Sequence, residues 1–295
     1  MDGFVNLDKP EGLSSHTAMA RVRRLLGTKA GHSGTLDPFA KGVLPLCLGK
    51  CTRLADFITE LPKSYRGEVV FGIATSSYDK DGEITEQIPC DGLSEEKISA
   101  ALNNFRGAIM QVPPMVSALK FHGKPLYELA RRGEEVVREP RAVTVYDLQL
   151  IKADFNRENP CVVLDITCSK GTYIRSLAYD LGKAVGCCAH LKALTRTMAG
   201  PFKLADSFSL EQIEQMIAKD DMSFILPPSY GVAHLPVVTI TGEIQLFKVR
   251  HGNQIACENT PDISVCRVET ASGELLAIGQ VKDEILKINK VLITE

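Results

Sequence analysis

The run Gly31-His32-Ser33-Gly34-Thr35-Leu36-Asp37-Pro38, closed by Lys41-Gly42-Val43-Leu44-Pro45, forbids regular secondary structure across its middle. Gly31 and Gly34 open backbone angles that other residues avoid. Pro38 fixes its own φ and presses Asp37 toward extended geometry. The segment is neither a plain helix nor a plain strand, so it is a tight loop held by the elements on either side. Such a loop aims a side chain, and the side chain here is a carboxylate. Two readings are open: a surface turn with a solvated aspartate, or a catalytic group presented by rigid neighbours.

The charge pattern bears on that choice. From Ala18 to Ala55 the cations are Arg21, Arg23, Arg24, Lys29, Lys41, Lys50 and Arg53, and Asp37 is the only acid, giving +6. From Ser169 to Lys203, Lys170, Arg175, Lys183, Lys192, Arg196 and Lys203 stand against Asp180 alone, giving +5. From Leu204 onward thirteen acids face seven bases, so the net charge of −2 conceals two basic blocks. A lone carboxylate in a positive field stays ionised, which suits a nucleophile beside a polyanionic substrate. Two separated basic blocks can converge on nucleic acid.

Other chemistries lack their residues. Gly49-Lys50 is followed by Cys51, and Leu44 stands where a phosphate-cradling loop needs its first glycine. Asp79-x-Asp81 begins like a calcium loop without the glycine at its sixth position. Six scattered histidines make no helical zinc pair, and nine cysteines make no C-x-x-C. The expectation is a site of side chains alone, with no metal and no cofactor. Met1-Asp2-Gly3 opens no secretory leader and no apolar run spans a bilayer, so the expected setting is a reduced cytoplasm without membrane contact.

Periodicity predicts a strand over Phe4–Asp8, then a helix capped by Ser14 or Ser15 and stopped at Gly27. It also predicts strands over 43–48, 65–73, 143–155 and 161–168, and extended chain over 191–198. Helices are expected over 52–59, after Ser94, over 172–185 and after the Ser209 capping box. Strands and helices interleave without a βαβ rhythm, so the class is α+β. A boundary near Gly231 divides 1–231 from 232–295, where short strands surround one helix. A charged excursion with a short helix occupies 123–139.

Three further segments are candidate partners of Asp37. Lys170-Gly171-Thr172-Tyr173-Ile174-Arg175 lies where a strand meets a helix, and an arginine there either pairs with Asp37 or stays on the surface. Lys63-Ser64-Tyr65 opens a strand, and its ring either stacks on a base or packs. His32 either stacks, contacts phosphate or is a satisfied loop histidine. Leu194, between Ala193 and Thr195, reads on its own as core.

Together with Asn6-Leu7-Asp8-Lys9-Pro10, Val112-Pro113-Pro114-Met115, Ser117-Ala118-Leu119-Lys120 and Ala189-His190-Leu191 through Arg196, these segments fall in the order of one family. The chain resembles the TruB family, the bacterial tRNA pseudouridine-55 synthases, over most of residues 3 to 203. The resemblance implies a pseudouridine synthase fold, a mixed and mainly antiparallel sheet flanked by helices and loops, followed by a small, mainly-β, PUA-like RNA-binding domain. It implies base flipping and isomerisation of a T-loop uridine in tRNA without a guide RNA, by a monomer that needs no protein partner. Catalytic roles fall to Asp37, Arg175 as its ion-pair partner, and Tyr65, which stacks on the uracil and assists proton transfer at C5. Substrate-binding roles fall to His32, Tyr173, Leu194, Asp79, Lys9 and Lys120. The 120–140 excursion matches an RNA-clamping insertion. Ser33 departs from the threonine of many relatives without touching the chemistry. Asp37 could attack the sugar, attack the ring or remove a ribose proton. Alternatives are a guide-RNA-dependent synthase of a ribonucleoprotein and a non-catalytic tRNA-binding or tRNA-folding protein.

Overall fold

The alternation near the N-terminus becomes the strand Gly3–Lys9, which pairs residue for residue with Lys41–Leu48, from Gly3↔Leu48 to Lys9↔Gly42. The strand leaving the Asp37 loop is thereby anchored at the centre of the protein. The computed structural model describes residues 1–293 other than 118, 122, 135 and 157, and leaves aside the side chains of residues 120, 125 and 131. Among the described residues ten strands form one sheet. Its order is Ile225–Leu226, Gly3–Lys9, Lys41–Leu48, Ala189–Ala199, Lys63–Phe71, Cys161–Cys168, Arg141–Asp154 and Gly107–Gln111. Ala30–His32 also pairs with Lys41–Leu48, and Phe202–Lys203 with Ala189–Ala199.

The sheet is mixed and mainly antiparallel. Its parallel step joins Lys41–Leu48 to Ala189–Ala199 through Thr195↔Lys41 and Arg196↔Gly42. That step sets Arg196 beside the strand that leaves the Asp37 loop.

The first helix, Ser15–Leu26, takes Ser14 as its cap, the hydroxyl accepting from the Thr17 N–H, and ends at Gly27 with φ 59°. Ala18, Met19 and Val22 pack beneath it on Val5, Leu7, Leu44 and Leu46. Replacing fully buried Leu44 by alanine should cost about 2–5 kcal/mol. The helix expected over 52–59 begins as a 3₁₀ turn, Gly49–Leu54, and becomes α-helical only at Ala55–Thr59. The expected start at Thr172 also moves, to Ile174, because Tyr173 is held extended at φ −98° and ψ 108°. Within the excursion, a hairpin of Lys120–Phe121 and Lys124–Pro125 precedes the helix Leu126–Arg131.

A second sheet runs Val237–Ile240, Ile263–Thr270, Leu275–Lys282, Ile285–Val291 and Ile255–Ala256, with the helix Glu243–Arg250 against it. It shares a core with the first sheet, where Leu275, Ile278 and Leu292 pack with Phe4, Val43 and Phe202. Arg53 donates to the Val291 carbonyl at 2.9 Å, and Lys290 donates to that of Arg53 at 2.7 Å. All nine cysteines are free thiols. Among the described residues no helix is long and apolar enough to cross a membrane.

Candidate active site

Three buried side chains hold the Asp37 loop by its backbone, and a fourth, Ser33, ties the loop outward through its own hydroxyl. Ser15, freed from capping by Ser14, accepts from the Leu36 N–H at 2.8 Å and donates to the Leu36 carbonyl at 2.9 Å. Lys9 is fully buried and donates to the carbonyls of Pro10, Leu13 and Pro38 at 2.9, 2.7 and 3.3 Å. Arg196 donates to the carbonyls of Gly34, Thr35 and Val43. Ser33 lies within 3.0 Å of both the Ala55 carbonyl and the Thr59 hydroxyl.

Of the two glycines expected to supply unusual angles, Gly34 does so, at φ 82°. Gly31 instead lies in the strand Ala30–His32. Gly42 takes the second such position, at φ 103°, where a Cβ would lie 2.3 Å from the Arg196 carbonyl oxygen. The parallel step therefore requires glycine there.

Asp37 faces Arg175, the second residue of the helix Ile174–Ala184. Arg175 is 2% exposed, and its Nε lies 2.9 Å from Asp37 Oδ2, off the line of a well-directed hydrogen bond. Its other nitrogens donate to the carbonyls of Ser77 at 3.1 Å and Val116 at 2.8 Å, and Nη1 lies 3.4 Å from Asp79 Oδ2. Asp79 is held in turn by the Ser77 hydroxyl at 2.6 Å and the Asp81 N–H at 3.1 Å. Burial works against the positive field expected around this carboxylate. Burial pushes the Asp37 pKa up, Arg175 opposes that less strongly, and Asp79 adds to the rise. The side chain is nevertheless 37% exposed, and its open side faces two cavities.

The smaller cavity, about 210 Å³, is walled by Tyr65, Tyr173, Leu194, Lys63 and Arg175 around Asp37. It is base-sized, below the range of ordinary ligand pockets. The larger, about 890 Å³, runs past His32, His16, Tyr78 and Tyr179 to Tyr127 and Arg138 in the excursion. Asp37 borders both. Burial and the Arg196 charge lower the His32 pKa, and its Nδ1 finds no hydrogen-bond partner among the described residues. Tyr78, at φ 63°, stacks on Tyr179 with 4.0 Å between ring centroids.

Asp37, Arg175, Tyr65, Tyr173 and Leu194 thus meet in the smaller cavity, and His32 lies in the larger. Asp79 braces Arg175 from beneath. Lys9, expected to contact substrate, lies buried beneath the loop with its ammonium enclosed by carbonyls, and burial brings its pKa down to about 8. Lys120 opens the excursion's hairpin, and its side chain lies outside the described residues.

The cations of the second basic block are largely engaged within the protein. Arg175 and Arg196 are interior, Lys170 pairs with Glu60 at 2.5 Å and Lys192 with Glu68 at 2.8 Å. Sequence reasoning missed the roles of Ser15, Lys63, Arg196 and Gln111. Lys63 donates to the carbonyls of Ile58, Thr59 and Leu61. The Gln111 amide clamps the Tyr173 backbone, accepting from its N–H at 2.8 Å and donating to its carbonyl at 3.0 Å. A long polar side chain directly before Val112-Pro113-Pro114 was the available signal for Gln111.

The chain is similar to proteins of a known family. The model of the TruB family pseudouridylate synthase N-terminal domain matches residues 23–174, and that of the tRNA pseudouridylate synthase B C-terminal domain matches residues 175–230. A tRNA pseudouridine synthase B of Moorella thermoacetica is 43% identical over 98% of this chain and 99% of the relative. The protein of that name from Streptococcus agalactiae is 40% identical over 99% of each chain. Among solved structures, a chain of a Cbf5-Nop10-Gar1 complex is 28% identical, with a TM-score of 0.76 over 99% of this chain and 85% of its own. A chain from an H/ACA RNP bound to a substrate RNA containing 2′-deoxyuridine is 26% identical with a TM-score of 0.75, at the same coverage.

Proposed function

The chain belongs to the TruB family of pseudouridylate synthases, and on that premise we propose that it isomerises a T-loop uridine of tRNA, with Asp37 as the catalytic carboxylate. The observation that carries the assignment is the Asp37–Arg175 ion pair at the mouth of a base-sized cavity. A uridine must leave the stack to enter it, at a cost of a few kcal/mol. In the cavity Tyr65 stacks on the uracil, Tyr173 and Leu194 close its sides, and His32 occupies the space the nucleotide leaves. Arg175 keeps Asp37 charged once substrate has expelled water.

Breaking the N1 glycosidic bond and remaking it at C5 needs a carboxylate and a closed pocket. Three routes are open to Asp37: attack on the sugar, attack on the ring, and removal of a ribose proton. After reattachment C5 still carries its hydrogen. Tyr65 assists that proton's departure, the C5–H electron pair returns to the ring, and N1 gains a proton. The large cavity and the 120–140 excursion hold the T-arm. Residues 1–231 act as the catalytic domain and residues 232–295 as a PUA-like RNA-binding module. The enzyme works as a cytoplasmic monomer without protein partner or guide RNA.

The H/ACA neighbours raise a guide-dependent reading. The full-length likeness to tRNA pseudouridine synthases at 40–43% identity favours the stand-alone one. Tritium release from C5-labelled tRNA tests both. Release with enzyme and tRNA alone is the expected result. Release only after adding a guide RNA would overturn the stand-alone reading.

A further inference from the structure

Arg196 is 1% exposed, and no carboxylate lies within ion-pair distance of it among the described residues. A cation so placed is costly unless its donors are engaged. Its Nε donates to the Val43 carbonyl at 2.7 Å, Nη2 to that of Gly34 at 3.0 Å and Nη1 to that of Thr35 at 3.4 Å. A guanidinium has five N–H donors, so two remain. Two strand pairings place this residue. Arg196 faces Gly42 across the parallel step and Tyr65 across the antiparallel one. Arg196 and Tyr65 also line the same small cavity as Asp37.

We propose that Arg196 is the positioning residue that joins the Asp37 loop to Tyr65, holding the loop by three carbonyls and turning its remaining donors and its charge toward the Tyr65 oxygen. The proposal rests on the reading that Tyr65 assists proton transfer at C5. In that step the Tyr65 hydroxyl gives its proton to water, and the resulting oxyanion takes the hydrogen of C5 as a proton. The C5–H pair restores the C5–C6 double bond, and N1 takes up a proton from water. Negative charge therefore develops on the Tyr65 oxygen in a buried setting, where a preorganised cation is most effective. The electrostatics agree: burial pushes the Tyr65 pKa up, and the Arg196 guanidinium draws it back. The same charge lowers the pKa values of Lys9, Lys63 and His32. A cation that disfavours neighbouring cations and favours a phenolate is placed for this chemistry, and a neutral donor would hold the loop carbonyls without it.

The test is single-turnover conversion of tRNA carrying hydrogen or deuterium at C5 of the target uridine. Arg196→Gln and Arg196→Lys are each made in the wild-type and Tyr65→Phe backgrounds. Arg196→Gln should slow product formation about 10²-fold or more in the wild-type background. It should also raise the isotope effect, because C5 deprotonation becomes limiting. In the Tyr65→Phe background its further effect should shrink at least tenfold. Arg196→Lys keeps the charge and should recover part of the rate and the smaller isotope effect, and it carries the comparison alone if the glutamine variant does not fold. An equal loss in both backgrounds with an unchanged isotope effect would make Arg196 a structural residue and overturn the proposal. Absence of product from the wild-type enzyme would instead overturn the proposed function.

Discussion

Arg175→Lys isolates the geometry of the catalytic pair from its charge. The guanidinium serves four acceptors on different sides: Asp37 Oδ2 at 2.9 Å, Asp79 Oδ2 at 3.4 Å, and the carbonyls of Ser77 and Val116 at 3.1 and 2.8 Å. An ammonium has three donors on one atom. At least one acceptor loses its partner, and the Ser77 carbonyl and Asp79 are the buried ones. A single charge-assisted hydrogen bond is worth about 1.5–3 kcal/mol. If that loss is felt in the transition state, it corresponds to a rate about 10- to 150-fold lower. The contact with Asp37 is discounted because that carboxylate is partly open to solvent. The assay is single-turnover pseudouridine formation with enzyme in excess over tRNA, beside a filter-binding measurement of Kd. Binding should stay within about threefold, since Arg175 lies beneath the surface that meets RNA. Turnover within twofold of wild type would refute the argument that the spread of guanidinium donors over four acceptors matters. An equal fall in binding and rate would show Arg175 contacting RNA directly.

Ser15→Ala removes both bonds to buried Leu36, and the urea midpoint should report a loss of about 1–3 kcal/mol together with slower catalysis; an unchanged midpoint would refute the clamp. Because burial raises the Asp37 pKa above the ordinary 3.8, the acid limb of kcat/KM should lie above pH 3.8, and a profile flat down to that pH would contradict the assignment. Between 3.8 and its folded value Asp37 binds more protons folded than unfolded, so its contribution to stability falls as pH rises through that window, a slope Asp37→Asn should abolish. Lys63 behaves oppositely. Its folded pKa is about 8 against 10.5, so the cost of burying its charge is full below pH 8 and relieved between those values. Urea midpoints should therefore show wild type gaining on Lys63→Met across that window, and wild type losing ground to the variant there would contradict the sign.

What the sequence made legible was local. Gly34, Pro38 and the absence of any other acid marked the Asp37 loop, and the Ser14 and Ser209 caps marked two helix starts within a residue or two. Arg175 was legible as a helix-start arginine, yet its pairing with Asp37 came from resemblance. What stayed hidden depends on contacts distant in sequence. Arg196 and Val43 are 153 residues apart, and a two-residue parallel step joins their strands, which no periodicity encodes. Gly31 and Gly42 exchanged roles for the same reason, since the close approach that requires a glycine is to the Arg196 backbone. The edge strand Gly107–Gln111 carries a weak alternation and was not foreseen. Lys9 carries no sequence signal of its partners, the carbonyls of Pro10, Leu13 and Pro38, because the fold alone brings Pro38 to it.

Those contacts converge on one carboxylate, and Asp37→Asn tests it most directly. Asparagine keeps the shape of the side chain beside Arg175 and removes the carboxylate charge that attack or proton removal requires. With tRNA tritiated at uridine C5, the variant should bind within a few-fold of wild type and release no label. Release at the wild-type rate would contradict the claim that Asp37 carries the chemistry.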